Sequence, residues 1–127
     1  MVHDAARPLV SPALIERVLE GAVRWGSTIP VVPVKDTLKE VLGDRVLGTV
    51  DRSKVRAVQT PQGFALPVLK KAFFKVGHRA SALTDDAAVV EAAGGRVWTV
   101  EGDPLNFKVT TPEDMKRAKD LVKNRGV

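Results

Sequence analysis

Apolar residues recur at helical spacing between positions 14 and 23, where Leu14, Ile15, Val18, Leu19, Ala22 and Val23 share a face. Ser11-Pro12 ahead of them reads as an N-cap with proline at the first helical position, and Gly26 behind them as a C-cap. The run Thr28 to Val34 is β-branched and punctuated by proline, which predicts a strand with an edge or a bend. From Asp36 to Gln59 the pattern breaks into short β-like pieces: Leu38 to Leu42, Val46 to Val50 and Val55 to Val58. Gly43-Asp44 splits the first two and predicts a hairpin. These pieces carry too many charges for core elements, so positions 36–59 are expected to form a β-arm projecting from a body. Thr60-Pro61-Gln62-Gly63 is a loop, and Pro67 opens a second helix to about Val76, with Phe73 and Phe74 expected in the core. Thr84 is expected to cap a third helix that carries Asp85 and Asp86 in its first turn and ends at Gly94-Gly95. Arg96 to Val100 predicts a strand, Phe107 to Val109 a short one, and Thr111-Pro112-Glu113-Asp114 opens a last helix with a capping-box pattern. Alternating strands and helices argue for an α/β sheet with an arm inserted into it.

Composition narrows the chemistry. The 127 residues suit one domain, 1–127, and no window approaches the roughly 20 apolar residues of a membrane span. No secretion signal is recognisable, and with no cysteine a disulfide framework, a thiolate nucleophile and a cysteine zinc site are excluded. A cytoplasmic protein without a membrane partner is expected. The net charge of +5 points to anionic partners. The cations are dispersed apart from Lys70-Lys71 and the stretch Lys116 to Arg125, aromatic residues make up only 5%, and tyrosine is absent. Without basic-aromatic alternation to stack bases, small phosphorylated ligands are expected and no nucleic acid.

The residues His3-Asp4-Ala5-Ala6-Arg7-Pro8 lie where an apolar strand would be ending, the place where open α/β sheets dock ligands. Two alanines leave room between Asp4, a metal or hydroxyl ligand, and Arg7, a phosphate fork. The plainer alternative is a surface ion pair between Asp4 and Arg7. Only Met1 and Val2 precede His3, so the sequence reads as beginning within a domain. Lys108, between Phe107 and Val109, either points into a cleft as a point charge for a phosphate or faces solvent at an edge. Lys35-Asp36 reads as turn chemistry, Thr49-Val50-Asp51-Arg52 as a hairpin strand with a solvated tip, and Thr84-Asp85-Asp86 as a helix cap. Trp25 and Trp98 read as packing residues, His3 as structural and His78 as exposed.

Together these pieces resemble the 2-C-methyl-D-erythritol 4-phosphate cytidylyltransferases of the non-mevalonate isoprenoid pathway. The matching features are His3-Asp4-Ala5-Ala6-Arg7-Pro8, Asp36-Thr37, Thr49-Val50-Asp51-Arg52, Thr60-Pro61-Gln62, Thr84-Asp85 and the run Asn106 to Asp114, in the family's order. The resemblance implies an incomplete Rossmann-like nucleotide-diphospho-sugar-transferase sheet and a homodimer joined through the β-arm. It implies transfer of CMP from CTP to a polyol phosphate, methylerythritol phosphate, with release of pyrophosphate and use of Mg²⁺. It also implies residue roles: Asp4 for metal and substrate hydroxyls, Arg7 for the erythritol moiety, Thr84 for a hydroxyl, and Lys108 against the phosphates. Thr37 and Arg52, on the arm, would hold the acceptor's phosphate in the partner subunit's site. The family's glycine-rich CTP loop has no counterpart here, so the chain is expected to carry the acceptor and dimer half and to turn over CTP poorly alone. Two alternatives stand beside this reading: a ribitol-5-phosphate cytidylyltransferase, which the doubled alanine at Ala5-Ala6 disfavours, and a non-catalytic dimerisation or binding module.

Overall fold

The computed structural model describes residues 1–124, so Arg125, the end of the basic stretch noted above, lies outside the described residues. Helix α1 (Pro12–Trp25) begins and ends as its sequence predicts. The Ser11 side chain accepts from the Leu14 N–H, and Gly26 adopts φ 82° to return its N–H to the Ala22 carbonyl. Leu14, Val18 and Ala22 are buried, but Leu19 and Val23 on the same predicted stripe are 50% and 81% exposed. The apolar stripe is therefore wider than the face this fold covers.

Strand β1 (Ser27–Pro33) is the centre of the sheet. One side pairs in parallel with β6 (Trp98–Glu101), with Thr28 opposite Trp98 and Val31 opposite Glu101. The other side pairs antiparallel with β5 (Gly63–Phe64) at its start and with β4 (Arg56–Val58) at its end. Helix α1 packs on β1 and β5. A second buried cluster joins α2 (Leu66–Val76) to α3 (Asp86–Ala92) through Ala72, Val76, Val89 and Val90. Helix α4 (Pro112–Asn124) closes the described chain, and its capping box forms as predicted. Thr111 Oγ1 accepts from Asp114 N–H at 3.1 Å, while Asp114 Oδ2 accepts from Thr111 N–H at 3.0 Å. No described helix is long and apolar enough to cross a membrane.

The hairpin forms around Gly43-Asp44 from β2 (Lys39–Leu42) and β3 (Arg45–Thr49), every residue of which is exposed. The third short piece behaves differently: Arg56–Val58 is β4 and pairs with β1, so it belongs to the body sheet. Three further expectations fail for identifiable reasons. Phe73 and Phe74 are 40% and 92% exposed, because α2 turns Ala72 and Val76 inward. Asp85, not Thr84, caps α3 by accepting from Ala88 N–H at 2.8 Å. Phe107 to Val109 is not a strand: it joins no ladder, and a bond from Val109 N–H to Ala6 O, 2.7 Å, ties it to the loop that carries Asp4 and Arg7 instead. Trp25 and Trp98 do pack on each other, at 5.6 Å between ring centroids.

Candidate functional site

The loop that carries Asp4 and Arg7 starts from the sheet. Val2 exchanges both backbone bonds with Gln62, each 2.9 Å, which lays the chain start beside β5. The loop then turns tightly, with Arg7 N–H donating to Asp4 O at 3.0 Å and Ala6 N–H to Asp4 Oδ1 at 3.0 Å. Thr60 anchors it: Thr60 Oγ1 accepts from Asp4 N–H at 3.0 Å and lies 3.0 Å from His3 Nδ1. His3 Nε2 lies 3.0 Å from the Arg7 carbonyl, which can only accept. In the neutral ring that partner places the hydrogen on Nε2 and leaves Nδ1 to accept from the Thr60 hydroxyl. His3 is structural, as its sequence context indicates.

The opposite wall comes from the segment after β6. Lys108 Nζ stands 3.0 Å from Asp4 Oδ2, with the two side chains 52% and 31% exposed. The Ala6 N–H and then the Lys108 ammonium hold the Asp4 carboxyl below its usual value, so it is ionised at neutral pH. Arg7 does not pair with Asp4, which corrects the ion-pair alternative. Its Nη1 donates to Asn106 O at 2.7 Å and its Nη2 to Val58 O at 3.4 Å. Burial pushes the guanidinium pKa down and the nearby Asp4 charge opposes that shift.

Beside these groups runs a groove of about 390 Å³ lined by Arg7, Lys35, Lys108, Arg117, Val58 and Phe107, among others, with no carboxylate among the described residues of its lining. The Arg117 guanidinium lies 4.3 Å from the Phe107 ring centroid, a cation–π contact that holds α4's cation over the groove. Such a wall attracts anions and suits a phosphoryl group better than a neutral or cationic ligand. A divalent cation has less to hold it: no three described His, Asp or Glu side chains converge, and Asp4 offers one carboxylate beside the groove.

The structure thus brings Asp4, Arg7 and Lys108 together. Thr37 and Arg52 sit instead at the root of the arm, exposed, and neither bonds to those three within this chain. Arg52 Nη1 donates to the Lys35 carbonyl, tying the two ends of the arm. Thr84 is exposed just before the cap residue Asp85, whose Oδ2 accepts from Gln62 Nε2 at 2.8 Å. The sequence alone marks no role for Thr60 by itself, for Arg117 or for the buried pair Gln59 and Asn106, and it shows Lys35 only as turn chemistry. The available signal for Gln59 and Asn106 was two amide side chains beside chemistry-bearing motifs. Their burial, at 5% and 0% exposure, comes from contacts distant in sequence.

Residues 1–124 match the family described as IspD, 2-C-methyl-D-erythritol 4-phosphate cytidylyltransferase. A 2-C-methyl-D-erythritol 4-phosphate cytidylyltransferase of Bacillus mycoides is 46% identical over 122 residues, covering 96% of this chain and 54% of that protein. A bifunctional enzyme IspD/IspF of Anaeromyxobacter dehalogenans is 48% identical over 126 residues, 96% of this chain and 33% of that protein. The crystal structure of 2-C-methyl-D-erythritol 4-phosphate cytidylyltransferase from Thermus thermophilus superposes with a TM-score of 0.84 at 44% identity. That superposition covers 96% of this chain and 60% of the Thermus chain. The chain spans about half the length of the single-function curated relatives it matches.

Proposed function

Because the chain belongs to the 2-C-methyl-D-erythritol 4-phosphate cytidylyltransferase family, with its Rossmann-like nucleotidyltransferase fold, we propose that it forms the acceptor-binding half of such an enzyme. The reaction joins an oxygen of methylerythritol phosphate to the α-phosphorus of CTP while the bond to the β-phosphate oxygen breaks, releasing pyrophosphate. The observation that carries the reading is the juxtaposition of the Lys108–Asp4 pair, 3.0 Å, with Arg7 on a cation-lined groove.

Two anions must meet for this reaction, so positioning and charge neutralisation supply most of the catalysis. Lys108 offsets charge on the phosphates, Arg7 positions the erythritol moiety of the acceptor beside its phosphate, and ionised Asp4 accepts from substrate hydroxyls. Thr84 contacts a hydroxyl from the start of α3. Mg²⁺ keeps several waters and takes most of its other ligands from substrate phosphates, so the single carboxylate of Asp4 fits it as a minor ligand. When bound, it adds positive charge where the two phosphates approach. Thr37 and Arg52 act in the partner subunit's site. A homodimer through the arm is supported by the exposed apolar residues of the hairpin: Val41, Leu42, Val46 and Leu47 are 58%, 71%, 54% and 49% exposed.

The test is calorimetric titration of the 127-residue chain with methylerythritol 4-phosphate and with ribitol 5-phosphate, on wild type and Lys108→Gln. We expect the methylerythritol compound to bind better, and Lys108→Gln to weaken it about tenfold. Stronger binding of ribitol 5-phosphate would transfer the reading to a ribitol-5-phosphate cytidylyltransferase. Identical binding by Lys108→Gln would remove Lys108 from the site.

A further inference from the structure

Gln59 and Asn106 are two of the few polar side chains the fold buries, and the chemistry above uses neither. Gln59 lies against the segment that carries Lys108, and Asn106, on that segment, reaches across to Thr60 beside the loop 3–8. Gln59 Nε2 donates to Asp103 O at 2.8 Å, and Gln59 Oε1 accepts from Asp103 N–H at 3.0 Å. Asn106 Nδ2 donates to Thr60 O at 2.8 Å, the residue whose hydroxyl anchors Asp4. The Asn106 carbonyl accepts from Arg7 Nη1 at 2.7 Å and also lies 3.4 Å from Gln59 Nε2.

Each acceptor found on the Arg7 guanidinium is therefore a neutral carbonyl, Asn106 O or Val58 O. A carboxylate would bind arginine more tightly, with two parallel bonds, but would cancel its charge. Carbonyl oxygens fix the position and leave the charge unspent. In a half-buried groove that charge is also less screened than at an open surface. The acid of the same loop, Asp4, is bonded to Lys108 instead.

We propose that Gln59 and Asn106 are positioning residues: they form a neutral clamp that holds Arg7 in place for an anionic substrate group without neutralising it. This rests on the reading of the groove as an anion site. Asn106 acts by fixing its own carbonyl through the bond to Thr60, and Gln59 by fixing the turn at Asp103 from which Asn106 emerges. The amide of Gln59 is essential in this account, because a carboxylate in its place would sit beside the clamp carbonyl and compensate Arg7.

The test uses the 127-residue chain with two probes: ¹⁵N spectra of the Arg7 guanidinium, and titration with inorganic phosphate. Gln59→Glu is nearly isosteric. With circular dichroism unchanged, we expect its phosphate affinity to fall about tenfold below wild type at pH 8, and that gap to close at lower pH, measured against wild type at the same pH, as acid neutralises the introduced carboxyl. In Asn106→Ala the hindered rotation of the Arg7 Nη groups, seen as resolved ¹⁵N–H signals in wild type, should be lost. Phosphate affinity should fall by a similar factor. If Asn106→Ala fails to fold, Gln59→Glu alone decides. Unchanged phosphate affinity in Gln59→Glu would overturn the clamp. If wild type itself binds no phosphate, the anion-site reading fails, and mobile Arg7 signals in wild type would independently overturn the clamp.

Discussion

Adding one methyl group at Gly102 should loosen the whole site from behind. A Cβ built there would stand 2.6 Å from Gln59 Oε1, 2.9 Å from Val31 O and 3.0 Å from Val32 Cγ1. Val31 O cannot retreat easily, since it accepts the Gly102 N–H at 2.8 Å and lies on the central strand. Gln59 would have to move, and it would lose its paired bonds to Asp103. Overpacking a filled interior costs about 1–3 kcal/mol, and each buried bond lost adds about 1 kcal/mol. Gly102→Ala should therefore destabilise by about 3 kcal/mol, a fall in Tm on the order of 10 °C for a domain of this size. Urea unfolding followed by circular dichroism measures the change. A double-mutant cycle with Gln59→Ala sharpens it, because removing the amide makes room for the new methyl. The two substitutions should then be sub-additive by about 1–2 kcal/mol. A loss below about 0.5 kcal/mol for Gly102→Ala, or strict additivity in the cycle, would refute the packing argument.

Helix α1 offers a contrast between two apolar residues of one predicted stripe. Leu14, fully buried, should cost about 3 kcal/mol as Leu14→Ala, whereas Val23→Ser, at 81% exposure, should stay within about 0.5 kcal/mol in the same urea assay. Stability should also fall in acid. Asp114 is held below its ordinary value by the Thr110 and Thr111 N–H groups, Asp51 by Ser53, and Asp4 by Ala6 and then Lys108. A carboxyl that is more acidic in the folded chain than in the unfolded one binds fewer protons when folded. Its contribution is complete above the unfolded value and disappears as pH drops through the folded one. The urea midpoint should therefore be level near pH 6 and decline below pH 4, and Asp114→Asn should flatten part of that decline. A midpoint independent of pH in wild type would contradict the capping geometry.

Local signals in the sequence were sufficient for the elements whose stability is local. Ser11, Gly26 and the Thr111–Asp114 box satisfy backbone groups within one turn, so their residue types announce the helix ends. Gly43-Asp44 likewise announces the hairpin between Lys39–Leu42 and Arg45–Thr49. What failed depends on partners elsewhere. Val55 to Val58 resembles the hairpin pieces in composition, yet its Arg56–Val58 portion enters the body because β1 leaves an edge free beside Val31. Phe73 and Phe74 look like core residues, but α2 turns Leu69, Ala72 and Val76 towards the cluster it shares with α3, and adjacent positions on a helix cannot point the same way. Thr84 and Asp85 are both capable N-caps, and the choice between them was made by chain geometry at the α3 start.

The same division explains the site. The chemical identity of Asp4, Arg7 and Lys108 is visible in the sequence because each sits in a distinctive run, His3-Asp4-Ala5-Ala6-Arg7-Pro8 or Asn106 to Asp114. Their orientation is not, since it depends on bonds between residues far apart in sequence. Lys108 could be read as facing a cleft or facing solvent until Val109 N–H bonds to Ala6 O, which turns the neighbouring lysine towards Asp4. Arg7 could be read as a partner for Asp4 until Asn106 O, 99 residues away, takes its Nη1. Those long-range bonds run through Gln59, Thr60 and Asn106, side chains with no charge and no periodicity to reveal them. In this fold the charged residues supply the chemistry, and buried neutral amides decide whether that chemistry converges on one groove. Substitutions at the amides should therefore disturb ligand binding as much as substitutions at the charges they hold.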